Sequence, residues 1–172
     1  MKKIILSLLL VVLPALALAE EGKVGPYPTI TVGTVSACYQ GTQVEVPISI
    51  NNRDSNPDCT FAVSFDKTKL KYIDKIAGNM SAAVLTATIE DINAAGKVQP
   101  IVNFSEGLPL SGTICKFKFQ LLTVIPEGSH LDLPISEIVP DNIYGMNGGV
   151  YCSLCPTWLD LMEVYRAYVE CH

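Results

Sequence analysis

The chain has 172 residues, with 12 Lys and Arg against 17 Asp and Glu for a formal net charge of −5, and it is 49% hydrophobic but only 17% charged. This composition excludes a disordered chain, and the acidic balance excludes the basic footprint of a nucleic-acid binder. Anionic lipid is disfavoured for the same reason, which leaves proteins, neutral glycans and cations as expected partners.

The first element is Lys2-Lys3 followed by the apolar run Ile4 to Leu18 and the small-residue pattern Ala17-Leu18-Ala19. It reads as a secretory signal peptide over residues 1–19. The run is shorter than the ~20 residues that cross a bilayer, so no membrane span is expected. Without residues 1–19, which carry two lysines and no acid, 153 residues remain with ten cations, 17 acids and a net charge of −7. Residue 20 is Glu and not Cys, with no lipidation signal nearby, so the product is expected to be secreted, either periplasmic or extracellular.

From Pro28 to Tyr151 apolar residues recur at every second position, and turn formers interrupt them every eight to twelve residues. This pattern predicts an all-β fold, a jelly-roll β-sandwich of about nine antiparallel strands over residues 20–152. The first strand falls at Ile30–Val35. The second alternates Val44, Val46, Ile48 and Ile50 with Glu45, Pro47 and Ser49, and the third repeats the pattern with Cys59, Phe61, Val63 and Phe65. Weaker strands follow at Lys71–Ile76, Val84–Ile89 and Val98–Phe104, with Asn93-Ala94-Ala95-Gly96 expected to close a hairpin. The seventh sets Cys115, Phe117, Phe119 and Leu121 against Lys116, Lys118 and Gln120, so its inward face is unambiguous. Leu131, Leu133 and Ile135 mark the eighth, and Ile143–Tyr151 the ninth. After Pro156 the period changes to that of a helix, with Trp158, Leu161, Met162, Tyr165, Tyr168 and Val169 on one face. A short C-terminal amphipathic helix in residues 153–172 is therefore expected to pack on the sandwich.

Six cysteines, at 38, 59, 115, 152, 155 and 171, in an exported chain point to disulfides. Cys59 and Cys115 both face inward, so an inter-sheet bridge between them is the first expectation and two buried thiols the alternative. Cys155 and Cys171 bracket the helix at a distance of about 24 Å and do not pair directly. Cys152-Ser153-Leu154-Cys155 has the spacing of a thiol-exchange motif but lacks the βαβ surroundings, and Pro156 stands where haem attachment needs His. Cys152, Cys155, Cys171 and His172 include zinc-ligand types, yet the helix separates the two pairs. No metal or cofactor is expected.

Catalysis is not expected either. His130 and His172 lie in no nucleophile context, and Asp66, Asp132, Glu137 and Asp141 read as turn formers and solvated charges. Asp141, Asn142 and Asn147 supply oxygens without the ordered spacing of a calcium loop. Tyr27, Tyr39, Tyr72, Tyr144 and Tyr151 form no evident row for stacking on sugar rings.

Four stretches carry a family likeness. They are Val32-Gly33-Thr34-Val35 with Gly41–Ile48, then Phe61–Leu70 with Gly78, then Gly112–Phe119, and finally Asn147-Gly148-Gly149-Val150-Tyr151. In order and punctuation they resemble the cohesin domain, a nine-stranded sandwich that receives dockerin modules. The resemblance implies an exported, non-catalytic domain that binds a protein partner, a dockerin-like module, through the sheet of strands three, five, six and eight. The outward positions there are Thr60, Ala62, Ser64, Gln99, Ile101 and Asn103. It further implies that the first and last strands are neighbours, bringing Cys38 near Cys152 or Cys155. Related sandwiches occur in carbohydrate-binding modules, so a glycan-binding role in polysaccharide breakdown is the alternative, and a disulfide-stabilised structural subunit without a ligand is a third.

Overall fold

The computed structural model describes residues 27–52, 58–80, 83–104 and 108–153. The expected signal peptide and C-terminal helix, with Cys155, Cys171 and His172, lie outside them. In chain order the elements are β1 (Thr29–Val32), β2 (Thr34–Ser36), β3 (Gln43–Asn51), β4 (Cys59–Ser64), β5 (Leu70–Ala77) and β6 (Ala83–Leu85). The helix α1 (Ile89–Ala95) follows, then β7 (Lys97–Val98), β8 (Pro100–Val102) and β9 (Gly112–Leu121). The last are β10 (His130–Leu133), β11 (Ile135–Val139), β12 (Tyr144–Met146) and β13 (Gly148–Tyr151). Among the described residues no helix is long and apolar enough to cross a membrane.

The strands form three hydrogen-bonded sheets. The first has the order β12-β1-β3-β9-β5, the second β10-β13-β2 and the third β11-β4-β8-β6, with β7 also paired to β4. Among the described residues thirteen strand segments replace the expected nine because four runs are divided, at Gly33, Gln99, Pro134 and Asn147. Three of the breaks move the chain between sheets: β1 and β12 lie in the first sheet and their continuations β2 and β13 in the second, while β10 lies in the second and β11 in the third. At Pro134 the ladder loses a donor, and the proline carbonyl instead accepts from the Ser64 amide at 3.0 Å. The expectation of purely antiparallel pairing is corrected for the runs divided at Gly33 and Asn147. β1 runs parallel to β12 and β2 parallel to β13, an arrangement open to strands joined by a long connection.

The inward residues of the strong alternating strands meet in one core. Val46, Ile48, Phe61, Val63, Phe117 and Phe119 are fully buried, each side chain contributing about 1.5–3 kcal/mol by leaving water. Phe119 meets Phe65 edge to face at a centroid distance of 5.2 Å, and Tyr72 meets Phe117 and Phe119 at 6.1 and 5.7 Å. On the wet face of the same strands Lys116 pairs with Glu45 at 2.9 Å.

The segment from Val84 to Gly96 is not the expected long strand and hairpin. Only Ala83–Leu85 is extended, and α1 follows. Its start is capped by Thr88, whose hydroxyl accepts from the Asp91 amide at 3.2 Å and donates to the Asp91 carboxylate at 2.8 Å. Its end is Gly96, in the left-handed region at φ 66°, with its amide donating to the Ile92 carbonyl. Asn93 then serves as a strand substitute: its Oδ1 accepts from the Tyr72 amide at 2.7 Å and its Nδ2 donates to the Tyr72 carbonyl at 2.9 Å. The helix thereby covers part of the β5 edge, which removes a free template for edge pairing.

Cys38 and Cys152 form a disulfide that closes a separation of 114 residues. The expected Cys59–Cys115 bridge is absent, and both residues are buried free thiols. Facing sheets stack about 10 Å apart, beyond the Cα separation a disulfide spans unless strands converge. Burial pushes both thiols up to about 12; Asp58 adds to the effect at Cys59, while Lys75 opposes it at Cys115. Native protein treated with iodoacetamide at neutral pH should therefore show no modification at either residue, and both should react after unfolding, as read by mass spectrometry. Tyr72 is 1% exposed and its hydroxyl finds no hydrogen-bond partner. Tyr72→Phe should raise unfolding stability by about 1 kcal/mol or more in urea titrations, because a buried unsatisfied hydroxyl costs roughly that much.

Candidate functional site: the outer face of the third sheet

The outer face of the third sheet is built by alternation on β4. Cys59, Phe61 and Val63 point into the core, so Thr60, Ala62 and Ser64 point away from it. The register aligns four strands across this face, with Val139 of β11 opposite Thr60, Thr60 opposite Ile101 of β8, and Ile101 opposite Val84 of β6. Val139, Ile101 and Val84 are 58%, 39% and 51% exposed. They form an apolar row across the sheet with the half-buried Thr60 within it.

Beside this row lies a polar clamp. Ala62 faces Ser136 of β11 on one side, and the β4–β8 register places Gln99 on its other side. The β11 ladder slips by one residue between Ser136 and Val139, and the inserted Glu137 adopts a left-handed φ of 52°. From there its carboxylate reaches across β4 to accept from Lys97 Nζ at 2.9 and 3.1 Å and from Gln99 Nε2 at 3.1 Å. Only a small side chain fits beneath. Ala62 is accordingly 0% exposed although it lies outside the core cluster.

Five of the six positions expected from the sequence, Thr60, Ala62, Ser64, Gln99 and Ile101, come together on this face, but Ala62 is covered and offers no contact surface. Asn103 is exposed one residue beyond the end of β8, outside the paired region. Sequence reasoning missed Val84, Val139, Lys97 and Glu137. Val84 carries a usable signal, since it precedes a polar stretch in a segment of β-favouring residues; the reach of Glu137 depends on a bulge that no local pattern announces.

At the end of β4 the chain turns on Asp66, whose Oδ1 accepts from the Thr68 hydroxyl at 2.6 Å and the Thr68 amide at 2.9 Å. These bonds, led by the hydroxyl, hold its carboxyl below the usual carboxylate range. Asp66 thus serves the turn.

A bulky β-branched side chain tolerates left-handed backbone poorly, whereas glycine accepts it freely. Glu137→Gly should stay within about 1 kcal/mol of the parent, relief of backbone strain of about 1 kcal/mol offsetting loss of an exposed ion pair worth less than that. Glu137→Val should lose more than about 1 kcal/mol. Chemical denaturation of the two variants separates them.

Comparison with known proteins agrees with this architecture. The family model described as "Cohesin domain" matches residues 28–133, more than half of the chain. Among solved structures, the non-cellulosomal cohesin of Archaeoglobus fulgidus superposes with a TM-score of 0.58 at 20% identity, covering 74% of this chain and 92% of that one. The seventh ScaB type I cohesin of Pseudobacteroides cellulosolvens gives 0.58 at 20% identity, with 75% and 94% covered. The third ScaC cohesin of Acetivibrio cellulolyticus, solved with the ScaB dockerin, gives 0.59 at 15% identity, with 74% and 99% covered. A search of curated proteins returns no significant match. With a family model matching residues 28–133, from before β1 to the end of β10, the chain belongs to the cohesin family.

Proposed function

We propose that this protein is an exported, non-catalytic recognition domain that binds a dockerin-like protein module through the outer face of its third sheet. The observation that carries the reading is the apolar row Val139, Thr60, Ile101 and Val84, which crosses four strands at one level and remains open to solvent. A helix laid across such a row buries its own apolar ridge there, while Lys97, Glu137 and Gln99 supply polar contacts at the side of the same surface. A standard interface of about 800 Å² per partner is compatible with a face of this kind. The sequence contributes the signal peptide, and the Cys38–Cys152 disulfide suits an oxidising compartment. The dockerin bound to the ScaC cohesin supplies the class of partner.

The test is titration calorimetry against a panel of recombinant dockerin modules. Ile101→Arg and Val84→Arg should each weaken binding by at least about tenfold, because each places an unpaired charge in an apolar contact. Circular dichroism should stay unchanged, since both positions face solvent. Full-strength binding by a folded Ile101→Arg variant would place the interface elsewhere.

A further inference from the structure

The second sheet presents an outer face of different chemistry from the third. Its register sets Tyr151 of β13 between His130 of β10 and Ser36 of β2, and the next outward row sets Gly149 between Asp132 and Thr34. The inward row between them is Leu131, Val150 and Val35. Gly149 therefore leaves the middle of the outer face without a side chain, next to a tyrosine that is 41% exposed. Close backbone approach keeps the position small: a Cβ there would come within 2.6 Å of the Leu131 carbonyl oxygen. The result is a cleft of about 440 Å³ with Gly148 and Gly149 in its lining, joined there by Tyr151, Thr34, His130, Asp132 and Asn147. That volume lies within the range of about 300–1,000 Å³ typical of small-ligand sites.

We propose that this cleft binds a neutral pyranose, as the end or a short stretch of a glycan chain. The lining decides the chemistry. Among the described residues no lysine or arginine lines the cleft, and the His130 imidazole is already paired with Asp132 at 3.2 Å; an anionic ligand would meet no free cation among them. Among the described residues no aliphatic side chain lines it either, which disfavours an apolar peptide or a lipid chain. What the cleft offers is one aromatic ring beside a floor of glycine backbone, with a hydroxyl, an amide and a carboxylate around it. Asn147 spends its Oδ1 on the Ile135 amide at 3.0 Å, leaving the side-chain Nδ2 as a donor. A pyranose matches this set, because its C–H face packs on an aromatic ring while its hydroxyls both donate and accept. The site stands on a different sheet from the proposed protein-binding face, so the two surfaces are separable by mutation.

The experiment is an NMR titration of the ¹⁵N-labelled whole chain with xylotetraose, cellotetraose and mannotetraose in turn, each to about 10 mM, which reveals millimolar dissociation constants. At least one should shift the amides of Gly148, Gly149 and Tyr151. Tyr151→Ala should weaken that binding about tenfold, matching the loss of one ring contact, while Tyr151→Phe should retain it. Asp132→Asn provides a second variant that leaves the β13 strand untouched and should also weaken binding. Ile101→Arg should leave saccharide binding intact even where it abolishes capture of a protein partner. No shift with any of the three sugars, equal affinity in folded Tyr151→Ala, or loss of saccharide binding in folded Ile101→Arg would each overturn the assignment.

Discussion

The side-by-side passage of the two outermost strand runs from the first sheet to the second is the constraint on which this structure rests. β1 and β12 leave the first sheet together and re-form as β2 and β13 in the second. Their crossing is held by backbone contacts that exclude side chains: the Gly33 amide donates to the Pro47 carbonyl at 2.8 Å and the Gly149 amide to the Gly33 carbonyl at 3.3 Å. A Cβ on Gly148 would collide with the carbonyl oxygens of Val32 and Gly33. The Cys38–Cys152 bond lies just past this crossing and fixes it covalently. Without the crossing, β13 would not be placed between β10 and β2, and the second sheet would have no centre.

The third sheet solves a different problem. Its inner face is as apolar as any part of the core, while its outer face combines exposed valine and isoleucine with a clamp spanning three strands. An exposed apolar row of this kind is tolerated in a soluble protein when it is short and flanked by polar groups. The bulge at Glu137 accomplishes the flanking, directing a carboxylate across β4 to Lys97 and Gln99. Its left-handed backbone is the local cost, of the sort found where position matters more than stability.

Much of the fold was legible because β3, β4 and β9 alternate so cleanly that their faces cannot be exchanged. The lysines at 116 and 118 settle the parity of β9, and that parity fixes which residues meet Val44, Val46 and Ile48. The helix α1 escaped notice because it buries only Ile92, too little for a helical period to stand out, and because Asn93-Ala94-Ala95-Gly96 has the composition of a turn. Thr88 and Asp91 were the available signal, a cap three residues apart. Alternation also placed Cys59 and Cys115 on inward faces correctly, but inward parity says nothing of the distance between two sheets, and the bridge did not follow. Ala62 was read as surface from the same parity and is covered by a residue 75 positions later in the chain, an effect outside any local window. The cleft beside Tyr151 was equally hidden, since its lining comes from β2, β10 and β13, and only their register assembles it.

The disulfide has a mechanical meaning as well. Tension applied between segments preceding Cys38 and following Cys152 passes from one segment to the other through the sulfur–sulfur bond. Residues 39–151, which contain the whole outer face of the third sheet and every residue of the cleft lining except Thr34, lie in the bypassed loop and bear none of the direct load. Of the described strands, only β1 and β2 lie on the loaded path, and their parallel neighbours β12 and β13 would have to be sheared along the strand direction for them to peel away. In an oxidising medium, then, a tether at either end can be pulled without stretching the recognition surface, and reduction of one bond would remove that protection.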